Sequence, residues 1–278
     1  MNIREIVARA LSEHLGTGDV TTKALFATAV PARGTIVSEE REGLVLAGLA
    51  VAEEVFTQVD SSLECSSRFK DGDRVPVGAT VLTVSGDGRS ILQGERVALN
   101  FLQRLSGIAT LTAKFCDAVK GFKTRIVDTR KTTPGLRALE KWAVTLGGGW
   151  NHRQSLADGI LIKDNHLALA GGDVARACRL ARERAPHSLK IEVEVQSLDA
   201  VKAALDGGAD IILLDNMNVP TICNAIRLIK GRATIEVSGG VTLSHVREIA
   251  AAGADLISVG ALTHSAPAAR FSMDIVPQ

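Results

Sequence analysis

The chain has 278 residues, 46% hydrophobic and 23% charged, enough for one large domain or two smaller ones. Its 32 Lys and Arg balance 31 Asp and Glu, a net charge of +1, which excludes the broad basic footprint of a nucleic-acid or membrane-surface binder. With 3% aromatic residues, no tyrosine and no apolar run of membrane-spanning length, base-stacking platforms and transmembrane segments are not expected either.

At the start of the chain, Ile3, Ile6, Val7, Ala10 and Leu11 recur at helical spacing, with Arg4, Glu5, Arg9 and Glu13 between them. This reads as an amphipathic helix rather than a secretion signal, and a cytoplasmic location is expected. Cys65, Cys116, Cys178 and Cys223 show no CxxC spacing. They read as small apolar residues in a reducing compartment, not as zinc or redox motifs. Residues 33–91 look β-rich: Gly34–Val37, Leu44–Leu46 and Thr80–Val84 are short apolar runs, set off by turn residues at 71–78 and 85–88. A helix is predicted between them, over Leu49–Val59. Residues 92–120 read as a long helix or a helix pair broken at Gly107.

From about residue 124 the rhythm becomes strand then helix. Strands are predicted at 125–128, 159–163, 190–195, 210–215, 234–238 and 256–260, with helices at about 135–145, 173–184, 198–206, 219–230 and 243–252. Gly207–Asp215 and Ala252–Gly260 are near-copies, GGADIILLD and AGADLISVG. Short apolar strands alternating with helices imply a parallel sheet with helices outside it. The reading favours a closed barrel of the TIM type with fewer than eight strands. The predicted strands end at Asp128/Thr129, Lys163, Glu194, Asp215, Ser238 and Gly260, so their polar residues gather at the face where βα-barrels place their sites.

The densest chemistry lies in 128–166, where Arg130, Lys131, His152, Arg153, Lys163 and His166 surround the run Gly147-Gly148-Gly149. Arg offers a planar fork and Lys a point charge to carboxylates or phosphates, each contact contributing roughly 1.5–3 kcal/mol. The competing reading is solvated surface cations. His152 and His166 are candidates for polar contacts to the same anion, or for hydrogen-bonded structural roles. Glu194 and Asp215 end two adjacent strands and suit a Mg²⁺ shared with substrate phosphates, or ion pairs with the cations. Glu192 shares the face of Glu194, and spacing does not choose between them. Ser238-Gly239-Gly240 and Gly260 sit where barrels commonly bind phosphate. Trp142 and Trp150 read as packing residues.

These residues, taken with Gly18–Thr22, Asn100–Thr110, Asp128–Gly135, Gly147–Arg153, Leu161–His166, Glu192–Val195, Leu213–Asn216, Ser238–Gly240 and Ser258–His264, make the sequence resemble the quinolinate phosphoribosyltransferases almost end to end. The resemblance implies an N-terminal α/β sandwich domain over 1–110 and a C-terminal TIM-like α/β barrel with an incomplete strand count over 111–264. The tail 265–278 can return to the first domain. It further implies a homodimer with sites shared across the interface, open to higher assembly, and a reaction of quinolinate with phosphoribosyl pyrophosphate in NAD biosynthesis. Arg104, reaching from a second subunit, with Arg130, His152, Arg153 and Lys163, would hold quinolinate. Thr129, Lys131, Glu194, Asp215, Ser238, Gly239, Gly240, Gly260 and His264 would hold phosphoribosyl pyrophosphate. Lys131, Glu194 and Asp215 would be catalytic, with Glu194 and Asp215 on Mg²⁺. A non-carboxylating transferase acting on another aromatic acid, and a non-catalytic anion-binding relative, are the alternatives. His14 departs from the acidic residue common at its position, and Gln154-Ser155 follow the NHR motif where the family varies.

Overall fold

The computed structural model describes residues 2–278, which form two compact units. One comprises residues up to Ala113 with Thr132–Gly148 and Thr263–Gln278; the other comprises Lys114–Lys131 and Gly149–Leu262.

In chain order the first stretch runs α1 (Ile3–Leu15), α2 (Val20–Leu25), β1 (Pro31–Ser38), β2 (Leu44–Val45), α3 (Leu49–Val59), β3 (Glu64–Ser66), β4 (Arg74–Val75), β5 (Thr80–Asp87) and α4 (Gly88–Ala118). Then come β6 (Arg125–Val127), α5 (Arg137–Leu146), β7 (Ile160–Ile162), α6 (Asp164–Leu169), α7 (Val174–Arg184), β8 (Ile191–Val195) and α8 (Leu198–Asp206). The chain ends with β9 (Ile211–Asp215), α9 (Val219–Ile229), β10 (Thr234–Ser238), α10 (Val246–Ala252), β11 (Leu256–Ser258), α11 (Ala261–His264) and β12 (Phe271–Pro277).

In the first unit, β12, β1, β5 and β3 form an antiparallel sheet in that order. The C-terminal strand thus pairs with the first strand, Ala32 opposite Pro277 and Ser38 opposite Phe271. Ile36, Leu82, Val84, Ile91 and Phe56 are fully buried and make up much of its core. The region 88–118 is one helix, not the broken pair the sequence suggested at Gly107. A Cβ there would lie 2.1 Å from the Pro267 carbonyl oxygen, so glycine is required for close backbone approach rather than for a break. Gly147 has the same explanation: its Cβ would meet the Ala109 carbonyl at 2.3 Å. The first glycine of the GGG run therefore lets α5 lie close against α4.

In the second unit all six strands are parallel, in the order β6-β11-β10-β9-β8-β7. Beside β6, opposite β11, Trp150 takes the place of a further strand. Its N–H donates to the Ile126 carbonyl at 2.8 Å, and its carbonyl accepts from the Asp128 N–H at 3.0 Å. The result is a TIM-like α/β barrel with an incomplete strand count, its core built from Ile126, Ile191, Val193, Ile212, Leu214 and Ile257. Asp173, Ser197 and Asn218 cap α7, α8 and α9 through their side chains, satisfying N–H groups that a helix start leaves open. The near-copied segments have a physical reason too. Their aspartates, Asp210 and Asp255, accept an N–H within the first two residues of the neighbouring strand, from Ile191 at 2.7 Å and Ile235 at 2.9 Å. Each copy pins strand register at the N-terminal end of the barrel. Among the described residues no helix is long and apolar enough to cross a membrane.

Candidate active site

Inward-facing residues alternate along parallel strands, so each strand of the second unit presents its interior groups at successive depths. At the C-terminal end of β7, Lys163 Nζ lies 3.0 Å from Glu194 Oε2. Glu194 is mostly buried while the lysine is half exposed, which marks the mouth of the barrel. On the next strand, Asp215 Oδ2 accepts from the amides of Gln196 at 3.3 Å and Asn216 at 2.8 Å. Ser238 pairs with Asp215 in the β9–β10 ladder, and its carbonyl accepts the Asn216 N–H at 3.0 Å.

Asn216 is left-handed at φ 54°, and the chain past Ser238 crosses directly beside it. Gly239 is left-handed as well, at φ 93°, and a Cβ on it would fall 2.2 Å from Asn216 Oδ1. Only glycine satisfies both demands, so this strand end keeps a bare backbone next to Asp215. Gly260 lies in the short link between β11 and α11, and Thr129 and Arg130 follow β6. Thr129 Oγ1 accepts the Lys131 N–H at 3.1 Å, folding the cationic segment back on the strand end.

The NHR segment goes inward. The His152 N–H donates to Oδ1 of the fully buried Asp128 at 2.8 Å, and Nδ1 accepts the Arg153 N–H at 2.7 Å. That leaves Nε2 as the protonated nitrogen, 3.2 Å from Glu192 Oε2 and 3.6 Å from Glu236 Oε2. Burial opposes a charged imidazole. The Glu192 hydrogen bond and the charges of Glu236 and Glu192 outweigh it and hold the His152 pKa above its ordinary value. For Glu236, burial and then the neighbouring Glu192 push the carboxyl up to about 7. Arg153 lies beside this cluster, its Nη1 on the Gly159 carbonyl at 3.0 Å; burial, and more weakly Arg130, lower its pKa. His152, Arg153, Glu192 and Glu236 line a cavity of about 620 Å³.

The structure thus separates Glu194 from Glu192, which share one face of β8. Glu194 stands at the mouth with Lys163, and Glu192 one layer down with His152. His166 is structural: its Nδ1 accepts the Lys163 N–H at 2.9 Å and closes the first turn of α6. Arg104 and His264 belong to the first unit. There the Arg104 Nε and Nη2 donate to Oε1 of the fully buried Glu140 at 3.1 and 2.8 Å, and Nη2 donates to the Thr263 carbonyl. Glu140 Oε2 accepts the Thr133 N–H at 3.1 Å. His264 Nδ1 meets Ser265 Oγ at 2.5 Å. Trp150 is about half exposed, its ring 3.9 Å from the Arg125 guanidinium carbon. Burial pushes the Cys65, Cys116 and Cys178 thiols up to about 11, so none is primed as a nucleophile. Glu236 in the second unit and Glu140 in the first, each buried, carry no motif in the sequence. The strict alternation of Thr234-Ile-Glu-Val-Ser238 carries the signal for Glu236, since it places that residue on the face of Ser238.

Residues 19–106 match the N-terminal domain of quinolinate phosphoribosyl transferase, and residues 108–274 match its C-terminal domain. The probable nicotinate-nucleotide pyrophosphorylase [carboxylating] of Bacillus subtilis is 40% identical over 275 residues, 99% of this chain and 94% of that protein. A relative of the same name from Synechocystis is 42% identical over 96% of this chain and 90% of that protein. The crystal structure of NadC from Streptococcus pyogenes superposes with a TM-score of 0.93 at 44% identity, covering 100% of this chain and 97% of that one. Over both units, the chain belongs to the quinolinate phosphoribosyltransferase family.

Proposed function

We propose that the chain transfers the phosphoribosyl group of phosphoribosyl pyrophosphate to quinolinate, with loss of CO₂, giving nicotinate mononucleotide and pyrophosphate. It is a carboxylating nicotinate-nucleotide diphosphorylase, a pentosyltransferase of NAD biosynthesis, acting in the cytoplasm. The observation that carries the reading is the arrangement of the parallel-strand ends. Lys163 and Glu194 pair at 3.0 Å on one side of the barrel mouth, and Asp215 stands beside the bare Ser238-Gly239-Gly240 backbone on the next strands.

Arg130, Arg153 and Lys163, with His152, supply the positive charge that a planar dicarboxylate requires. Ser238, Gly239, Gly240, Gly260 and Thr129 take the phosphates, the glycines through backbone N–H groups. As the ring nitrogen attacks the ribose, positive charge develops on the sugar, and the Glu194 and Asp215 carboxylates stabilise it from fixed positions. Lys131 neutralises the departing pyrophosphate. The bond from C2 of the N-ribosylated ring to its carboxylate then breaks, CO₂ leaves, the electron pair stays on C2 beside the cationic ring nitrogen, and a proton from solvent replaces the carboxylate there. Orientation by the cations fixes the substrate's carboxylates and holds the ring nitrogen toward the sugar.

The mouth fits Mg²⁺. Its donors are hard carboxylate oxygens, and among the described residues Glu194 Oε1 and Asp215 Oδ1 accept no hydrogen bond, leaving them for a hydrated cation. When bound, the ion shields the charge of the pyrophosphate leaving group.

Quinolinate, phosphoribosyl pyrophosphate and Mg²⁺ given to the purified protein test the reading. Turnover of nicotinate but not quinolinate selects a non-carboxylating transferase, and quinolinate binding without turnover selects an anion-binding protein. The chain acts as a homodimer in which Arg104 of one subunit completes the site of the other. Mixing Arg104→Ala with Lys163→Ala protein should then restore activity through hybrid sites. Absence of recovery, with subunit exchange demonstrated, contradicts the shared site.

A further inference from the structure

A buried carboxylate with no hydrogen-bond partner is costly, and a fold that keeps one uses it. Among the described residues neither Glu236 oxygen has a hydrogen-bond partner at full hydrogen-bond geometry, the side chain is 1% exposed, and the polar groups around it are Glu192, the His152 ring and, more weakly, the Ser258 hydroxyl. Apolar packing does not explain it: the flanking Ile235 and Val237 fill the opposite face of β10, and Glu236 faces a cavity it shares with His152, Arg153 and Glu192. What it faces does. His152 is held at three points: its N–H on Asp128, its Nδ1 under the Arg153 N–H, and its Nε2–H toward the two glutamates. The Arg153 N–H that reaches Nδ1 belongs to the residue whose guanidinium faces the same carboxylates, so the ring's orientation and the course of the arginine are coupled.

We propose that Glu236, together with Glu192, is a positioning residue for the His152-Arg153 pair: the carboxylates turn the imidazole into the barrel and so fix the guanidinium that receives a substrate carboxylate. The inference rests on the quinolinate reading and adds to it the layer beneath the mouth. The spacing of the three ligand atoms, all within 4.8 Å, would also suit a divalent metal. The protein geometry favours a proton over a metal, because Nδ1 accepts a hydrogen bond and the proton of the ring therefore sits on Nε2 inside the cluster. The Arg153 charge already acts on both glutamates, which further disfavours a dication there. Burial against the neighbouring carboxylate also favours a proton on Glu236 near neutrality.

Full-length protein labelled with ¹⁵N-histidine provides the readout, with His152→Gln assigning the resonance. In the wild type at alkaline pH, above the raised His152 pKa, the neutral ring should carry its proton on Nε2. At pH 8 or above, where Glu236 is ionised, Glu236→Gln should shift that signal and raise the quinolinate KM about tenfold, the loss expected for one charge-assisted contact. It should leave kcat and the phosphoribosyl pyrophosphate KM within about twofold, and Glu236→Asp should recover part of the quinolinate KM. Glu192→Gln is the second variant, measured in the same way, should the first fail to fold. An unmoved His152 signal with an unchanged quinolinate KM overturns the proposal. So does an equal rise in both KM values, which signals general loosening, or one equivalent of divalent metal bound to the wild type and lost from Glu236→Gln. Failure of wild-type turnover would remove the quinolinate reading instead, and the His152 spectra would still decide whether Glu236 positions the ring.

Discussion

Glu192 and Glu194 stand two residues apart on one face of β8, and the strand gives them opposite surroundings. Glu194 meets a half-exposed lysine at the barrel mouth, while Glu192 is 4% exposed and meets a histidine wedged inside. A pair near water is screened and contributes little to stability, so its geometry is available for chemistry. A buried group without its partner is costly, so the inner layer binds fold and orientation together. The difference assigns chemistry to the rim and alignment to the layer below, and substitutions at the two depths should fail in different ways.

The largest effect should come from the mouth. Glu194→Gln keeps the shape and removes the charge, and kcat/KM should fall about a hundredfold or more while stability to urea changes by less than about 1 kcal/mol. One layer down the pattern should reverse. Glu192→Ala strands the His152 Nε2–H beside Glu236 and should cost roughly 2–4 kcal/mol in urea unfolding. Equal stability losses at both positions would erase the distinction.

pH sharpens it further. Glu236 titrates near 4.5 in a free chain and about 7 in the fold, so between these values the folded protein binds the extra proton. Stability from this group is therefore greatest at the acid side of that window and falls as pH rises from about 4.5 through 7. Between pH 5 and pH 8 the wild type should lose up to about 2 kcal/mol relative to Glu236→Gln, which cannot titrate there. A flat difference between the two proteins breaks the account of the buried layer. The smallest effect should be that of the Lys163–Glu194 pair on folding: Lys163→Met should shift stability by less than about 1 kcal/mol while depressing turnover.

Much of this architecture is legible in the sequence because period and punctuation act locally. β8, β9 and β10 fall within a residue of their apolar runs, and α3 and α8 match their predicted bounds. The near-copied GGAD and AGAD segments announce a repeated βα unit before any coordinate is seen. What the sequence hides is long-range. Gly107 looks like a helix break until the Pro267 carbonyl is seen against it. The strand Phe271–Pro277 has no partner signal in its own neighbourhood, because it pairs with residues more than two hundred positions earlier. The cationic segment suggests one grip on a small anion by Arg130, His152, Arg153 and Lys163 together. In the fold Lys163 meets Glu194 at the mouth while His152 turns inward, because Asp128 and the Arg153 N–H hold its backbone and ring. Glu236 has two apolar neighbours and no motif of its own, and only the alternation of β10 shows which way it faces.

The central claim is that one barrel mouth joins phosphoribosyl transfer to loss of the 2-carboxylate. Its most direct test is to measure CO₂ and pyrophosphate released together from quinolinate and phosphoribosyl pyrophosphate. The account predicts equimolar release, abolished alike by Glu194→Gln. Pyrophosphate without CO₂, or neither product from a folded protein, would contradict it.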